Sequence, residues 1–288
     1  MPYSLDIYFK PPVALSRLLQ YFGPRKYYRL VENKIIYENP YTEVDFFFRL
    51  HGTFFGSRIA FAEFEINYNR PSFFGTEADI ELSAFMEAFQ PRIFDAQMRG
   101  MAEGPYSNEG FLNGWNFGNR FGVRAVMVEQ PEIITKPADE LRATWEWNYR
   151  IYERSQLFKD CYVSKIFFLH FEGRLNRVVI WPRGEPVLMP RVPHVLIRRF
   201  VSRESRYGLA TWSEVLDVVA RAGFDTTKDS LHLKYIITPE PIADWVANIE
   251  LIDHHALEDI DPYRIIDENI VEAARAAIER NGDGPWTV

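Results

Sequence analysis

Residues 58–68, Arg-Ile-Ala-Phe-Ala-Glu-Phe-Glu-Ile-Asn-Tyr, alternate in polarity along their length. Successive side chains of an extended chain point to opposite sides, so Ala60, Ala62, Phe64, Ile66 and Tyr68 share one face and Glu63, Glu65 and Asn67 the other. A strand with one apolar and one solvated face belongs to an antiparallel sheet whose apolar side is covered by helices. The flanking segments repeat the pattern. Val44, Phe46, Phe48 and Leu50 alternate within 43–50, and Tyr3, Leu5, Ile7 and Phe9 alternate with Ser4, Asp6, Tyr8 and Lys10.

Working outward, Leu15, Leu18, Leu19 and Phe22 fall on one face of a helix that Gly23-Pro24 stops. Residues 26–31 and 34–38 read as strands joined by the tight turn Glu32-Asn33. Thr76 is the expected cap of a second helix, with Asp79 near the capping-box position and Leu82, Phe85, Met86 and Phe89 on its apolar face. The order β-α-β-β-β-β-α defines an α+β unit over residues 1–100.

Residues 91–106 lose periodicity and read as a loop. A helical segment over 101–160 follows, with one helix capped by Ser107 and running to about Glu129, and another from Asp139 to Phe158. Residues 161–288 read as a second α+β unit. Residues 165–171 and 175–181 form a hairpin around Glu172-Gly173-Arg174, and 185–189 and 192–198 carry enough proline to suit edge strands. Thr211 and Glu214 make a capping box for a helix ended by Gly223; a strand over 231–237 and helices near 241–250 and 262–280 complete the chain. The tail, 281–288, reads as frayed. One compact body embracing all three segments is equally compatible with the pattern.

The 288 residues are 47% hydrophobic and 25% charged, which excludes a disordered chain, and 16% are aromatic, which must fill cores or line a contact surface. No basic stretch leads into an apolar one at the start, apolar runs reach four or five residues, and Cys161 is the only cysteine. These features lead us to expect a cytoplasmic protein without a membrane partner. A net charge of −7 argues against general nucleic-acid binding. Charge is unevenly spread. Residues 142–206 hold 13 basic and 6 acidic side chains, or +7, and residues 240–268 hold 9 acidic and 1 basic, or −8. Either the two stretches neutralise each other, or the acidic one steers a basic partner.

Catalytic signals are sparse. Gly114, Gly118 and Gly122 match neither a dinucleotide fingerprint nor a P-loop, and their four-residue spacing calls for a close backbone approach; a polar pocket among Asn113, Trp115, Asn116 and Asn119 is the other reading. Glu63 and Glu65 share a strand face and offer a carboxylate pair. Cys161 reads as a small buried hydrophobe, and Arg198, Arg199, Arg203 and Arg206 as a phosphate clamp or a solvated face. His51, His170, His194 and His232 show no zinc spacing. No cofactor and no metal is expected.

Two stretches carry resemblances. Leu251-Ile252-Asp253-His254-His255 resembles the signature of DHH-type phosphoesterases, which implies metal-dependent phosphoester hydrolysis; Ala256 stands where that family usually has proline. Residues 67–89 (NYNRPSFFGTEADIELSAFMEAF), FLNGWNFGN at 111–119 and VVIWPRGEPVLMPRV at 178–192 resemble bacterial immunity proteins of polymorphic or contact-delivered toxin systems. The second resemblance implies a cytoplasmic protein that binds and neutralises a cognate, basic toxin without catalysis. The expected contact residues are Asp253, Glu258, Asp259 and Asp261. A metal-dependent hydrolase and a small-ligand-binding module are the alternatives, and exposed aromatic strands leave a homodimer open.

Overall fold

β1 (Pro2–Ala14) is the spine of the first sheet, and the order of elements after it follows the alternation read above. It leads into α1 (Leu15–Phe22), β2 (Tyr28–Val31), β3 (Lys34–Glu38), β4 (Asp45–Gly52), β5 (Arg58–Asn67) and α2 (Phe73–Phe89). Next come β6 (Arg92–Phe94), β7 (Glu103–Gly104), α3 (Asn108–Glu129), β8 (Thr135–Lys136), α4 (Ala138–Tyr149) and α5 (Ile151–Leu157). Then follow β9 (Tyr162–Val163), β10 (Ile166–Phe171), β11 (Arg174–Pro182), β12 (Val187–Pro190), β13 (His194–Val201), β14 (Glu204–Thr211) and α6 (Trp212–Arg221). The last elements are β15 (Ser230–Leu233), α7 (Glu240–Asn248), β16 (Leu251–Ile252), β17 (Glu258–Asp259), β18 (Ile266–Asp267) and α8 (Glu268–Asn281). The computed structural model describes residues 2–52, 58–201, 204–227, 229–253 and 257–281. The class is α+β. No helix of the described residues is long and apolar enough to cross a membrane.

The chain divides into two compact units, Met1–Arg142 with Tyr263–Val288, and Ala143–Pro262. In the first, a seven-stranded sheet runs β2-β3-β4-β5-β1-β6-β7, with every neighbouring pair antiparallel. One face is aromatic and buried. Phe48 meets Phe22 of α1 and Phe85 of α2 at ring distances of 5.5 and 5.0 Å, and Phe64 meets Phe111 of α3 at 6.0 Å. These edge and tilted contacts favour ordered ring packing beyond simple area burial. The register between β1 and β5 slips between Tyr8 and Val13, so Ile59 rather than Ala60 points inward.

Several sequence expectations change here. α2 starts at Phe73 with Ser72 as its cap residue, so Thr76 lies inside the helix. Asp79 instead accepts from the Tyr106 hydroxyl at 2.6 Å and the Asn108 amide at 3.1 Å, tying down the approach to α3. Within the stretch read as a loop, β6 pairs with β1 and β7 with β6. Ser107 does cap α3, accepting from the Gly110 N–H at 3.1 Å. The C-terminal segment opens with a 3₁₀ turn at Pro262–Arg264, so its helix starts at Glu268. β18 and α8 pack on Val123 and Met127 of α3 through Ile266, Ile270, Val271 and Ala274.

In the second unit, a six-stranded sheet runs β16-β14-β13-β11-β10-β17, with β11 and β13 parallel; β15-β12-β9 form a smaller sheet. The expected β10–β11 hairpin forms, but its turn is the two residues Glu172-Gly173, both with positive φ, because Arg174 already pairs with Phe171 in β11. Neither proline-flanked strand is an edge: β13 is interior to the six-stranded sheet and β12 is the middle of the smaller one, because Pro186 and Pro193 lie in the connections while Pro182 and Pro190 end β11 and β12. Val179, Trp181, Val195 and Ile197 pack with Val215, Val218 and Val219 of α6 and Ile242 and Val246 of α7. The helix expected over 139–158 breaks at Arg150 into α4 and α5. Asn148 then faces β10, donating to the Ile166 carbonyl and accepting its N–H, each at 2.9 Å.

Candidate functional site

The acidic stretch lies in the second unit as far as Asp261, whereas its last acids, Asp267 and Glu268, belong to the first. β16 pairs with β14 at one edge of the six-stranded sheet, and β17 pairs with β10 at the other. Ile252 and Leu257 both pack on the cluster of Leu169, Phe171, Val178 and Leu196. The apolar side chains anchor this segment while Asp253, Glu258 and Asp259 stay exposed and Asp261 half-buried. Asp259 is held above the ordinary aspartate range, first by partial burial and then by the charge of Asp261, with Lys165 opposing. Basic and acidic stretches therefore meet at Lys165 and Asp259, and Arg199 donates to the Ile249 carbonyl at 3.4 Å. His254, His255 and Ala256 of the DHH-like stretch lie outside the described residues, as does the 282–288 part of the tail.

Just ahead of α7 stands a feature that charge counting does not reveal. Ile236 and Ile237 are 103% and 83% exposed, where the periodic reading extended a strand that ends at Leu233. The two isoleucines precede the acidic run in sequence, and the six-stranded sheet carries β16 and β17 of that run on its two opposite edges. Glu240 and Asp244 of α7 line a shallow groove with Trp245 and Arg221.

In the first unit the glycine face of α3 is closely approached, by side chains rather than by the backbone its spacing called for. A Cβ on Gly118 would lie 2.2 Å from the Tyr68 hydroxyl, one on Gly122 2.6 Å from Asn69 Oδ1, and one on Gly114 2.9 Å from the Tyr3 hydroxyl. Trp115 and Asn119 are fully buried; Trp115 packs on Gly75, and Asn119 clamps the Arg70 backbone through bonds of 3.2 and 2.8 Å. The polar pocket expected among those residues is replaced by a cleft of about 660 Å³ on the adjoining stripe, lined by Tyr68, Arg99, Phe117, Phe121 and Glu129. Arg99 lies 4.9 Å over the Phe117 ring. Partial burial pushes the Tyr68 phenol up to about 12, and the charge of Asp95 adds to it.

Glu63 and Glu65 are both held by Arg49, at 3.2 and 2.8 Å, with His51 at 3.8 Å from Glu63. A shared guanidinium makes them a salt-bridge cluster on the outer face of the sheet, beside the ring row Tyr8–Phe61–His51. The proposed arginine clamp disperses. Arg198 lies on Phe200, Arg206 pairs with Glu204 at 2.9 Å, and Arg203 is outside the described residues.

One cluster escaped the sequence entirely. The donor atoms of Asp160, Cys161 and His232 lie within 4.8 Å of one another. Cys161 is half-buried rather than buried, and its thiol points to the Phe158 carbonyl at 3.7 Å. Asp160 pairs with Lys234, whose hydrogen bond holds the carboxyl below the ordinary aspartate range. No spacing motif links positions 160–161 to 232, because β12 brings them together by pairing with both β9 and β15.

Neither a family model, nor a curated protein, nor a solved structure matches the chain.

Proposed function

We propose that this chain is a binding protein of the immunity type, which neutralises a cognate toxin by occupying its surface and needs no chemistry of its own. The observation that carries the reading is the full exposure of Ile236 and Ile237 directly before the acidic run that ends at Asp261. Large aliphatic side chains held in water mark interaction surfaces, and buried apolar anchors dominate dissociation. A surrounding field of one sign accelerates encounter with a partner of the other sign. A basic toxin, such as one that acts on nucleic acid, fits that surface. In this role the protein works in the bacterial cytoplasm, where such a toxin would act.

The test is the association rate of the partner at low ionic strength. Reversing Asp253, Glu258, Asp259 and Asp261 to Lys is expected to slow it at least ~10-fold and to flatten its salt dependence. An unchanged rate rejects this placement of the interface.

A second reading, a small-ligand-binding module, is favoured by the cleft beside α3. Its apolar wall and Arg99 suit a flat compound bearing one negative charge. Thermal shift against aromatic carboxylates, repeated with Arg99→Ala, decides whether it is occupied. A rise in Tm lost in the variant supports this reading, and no rise with any compound removes it.

A further inference from the structure

Asp160 and Cys161 sit in the turn that leads into β9, and His232 stands on β15. Leu188 of β12 faces Val163 on one side and His232 on the other. The two flanking strands are thus held at a fixed separation by backbone pairing, and the three side chains converge on one side of that small sheet. Their donor atoms, a carboxylate oxygen, a sulfur and an imidazole nitrogen, already lie within 4.8 Å of one another. In a tetrahedral zinc site, bonds of ~2.0–2.3 Å put neighbouring donors roughly 3.5 Å apart, so modest side-chain rotation closes the set.

We propose that Asp160, Cys161 and His232 form a binding site for a borderline divalent metal ion of the zinc class. A mixed sulfur, nitrogen and oxygen set disfavours magnesium and calcium, which prefer oxygen alone. Three protein donors leave a fourth position to water, since Asp160 and His232 are exposed to solvent. The Phe158 ring packs edge-on against His232 at 4.9 Å and limits its rotation. Binding converts the thiol to a metal-bound thiolate, and its proton passes to solvent. The Lys234 ammonium beside Asp160 acts as a built-in competitor: it stays protonated and swings away when the ion enters. This inference is independent of the immunity reading and concerns residues away from the acidic segment.

The experiment is titration of the full chain with Co²⁺, read by the near-ultraviolet sulfur-to-cobalt charge-transfer band, then displacement by Zn²⁺. Because Cys161 is the only cysteine, that band reports on this site alone. Wild type is expected to give a saturable band at one ion per chain that zinc abolishes. Cys161→Ser should remove it. His232→Ala should weaken Co²⁺ binding on the order of 10-fold or more, and Lys234→Ala should strengthen it several-fold. Circular dichroism verifies that each variant is folded; should the serine variant unfold, the histidine and lysine variants decide the question. Absence of the band in wild type, or a band indifferent to both His232→Ala and Lys234→Ala, overturns the assignment.

Discussion

Ser72 gives both its backbone N–H and its hydroxyl to the carboxylate of Asp267, at 2.7 and 2.6 Å, across 195 residues of sequence. Ser72 is the cap residue of α2, so its own hydroxyl is spent on Asp267 and an acid from β18 supplies the negative charge at that helix start. This contact, with the α3–α8 packing, ties the C-terminal segment into the first unit.

Removing the carboxylate strands two donors in a buried setting, Asp267 being 1% exposed. Asp267→Ala is therefore expected to destabilise the protein by about 2–4 kcal/mol. Urea unfolding measures it; a loss below about 1 kcal/mol would show that water replaces the carboxylate without cost.

Glycine contacts give a ranking. A Cβ on Gly100 would sit 1.8 Å from the Gly110 carbonyl oxygen, a backbone atom at the start of α3, whereas the contact at Gly118 is with the far end of a tyrosine side chain. Backbone cannot move aside as a phenol can. Gly100→Ala should cost more than Gly118→Ala, where a helix-propensity gain of ~1 kcal/mol offsets part of an overpacking cost of ~1–3 kcal/mol. Thermal unfolding of the two variants side by side tests the order.

The capping box of α6 predicts a pH dependence. Glu214 accepts from the Thr211 N–H at 2.7 Å and its hydroxyl at 2.8 Å, and the backbone bond first, then the hydroxyl, hold the carboxyl below the ordinary glutamate range. A depressed folded value means the stabilisation is complete above the unfolded value and disappears as pH falls through the folded one. Glu214→Ala should cost about 0.5–1 kcal/mol at pH ~7, small because the group is exposed, and almost nothing well below pH ~4. A gap between variant and wild type that persists in acid would contradict the capping role.

Much of this molecule was legible in its residues, and the limits are physical. Alternation in 43–50 and 58–68 identified the buried faces of β4 and β5 because one side of the sheet meets helices and the other water. The slip beside Ile59 was invisible, since a bulge is set by strand pairing and leaves no mark on local polarity. Thr76 looked like a cap because Thr-x-x-Asp satisfies the local rule, yet the helix begins earlier on an acid contributed by β18. Of the candidate contact residues, Asp253, Glu258 and Asp259 are exposed as their charge suggests. Ile236 and Ile237 and the Asp160–Cys161–His232 cluster were missed, because exposure and convergence are properties of the fold.

The isoleucine pair yields its own prediction. Ile236→Ser with Ile237→Ser should leave Tm within about 1 °C, since neither side chain is buried, and should raise the partner's dissociation rate at least ~10-fold. Calorimetry and surface-immobilised binding separate the two effects; a fall in Tm with unchanged dissociation would place these residues in the fold rather than the interface.

The proposed immunity role is tested by capturing the tagged chain's partner from its source cells, identifying it by mass spectrometry, and expressing it with and without this protein. The expected result is one stoichiometric protein, toxic when expressed alone and harmless beside the wild-type chain. The variant with Asp253, Glu258, Asp259 and Asp261 all changed to Lys should neither retain the partner nor protect the cells. A partner retained equally by that variant, or one whose expression harms no cell, would contradict that role.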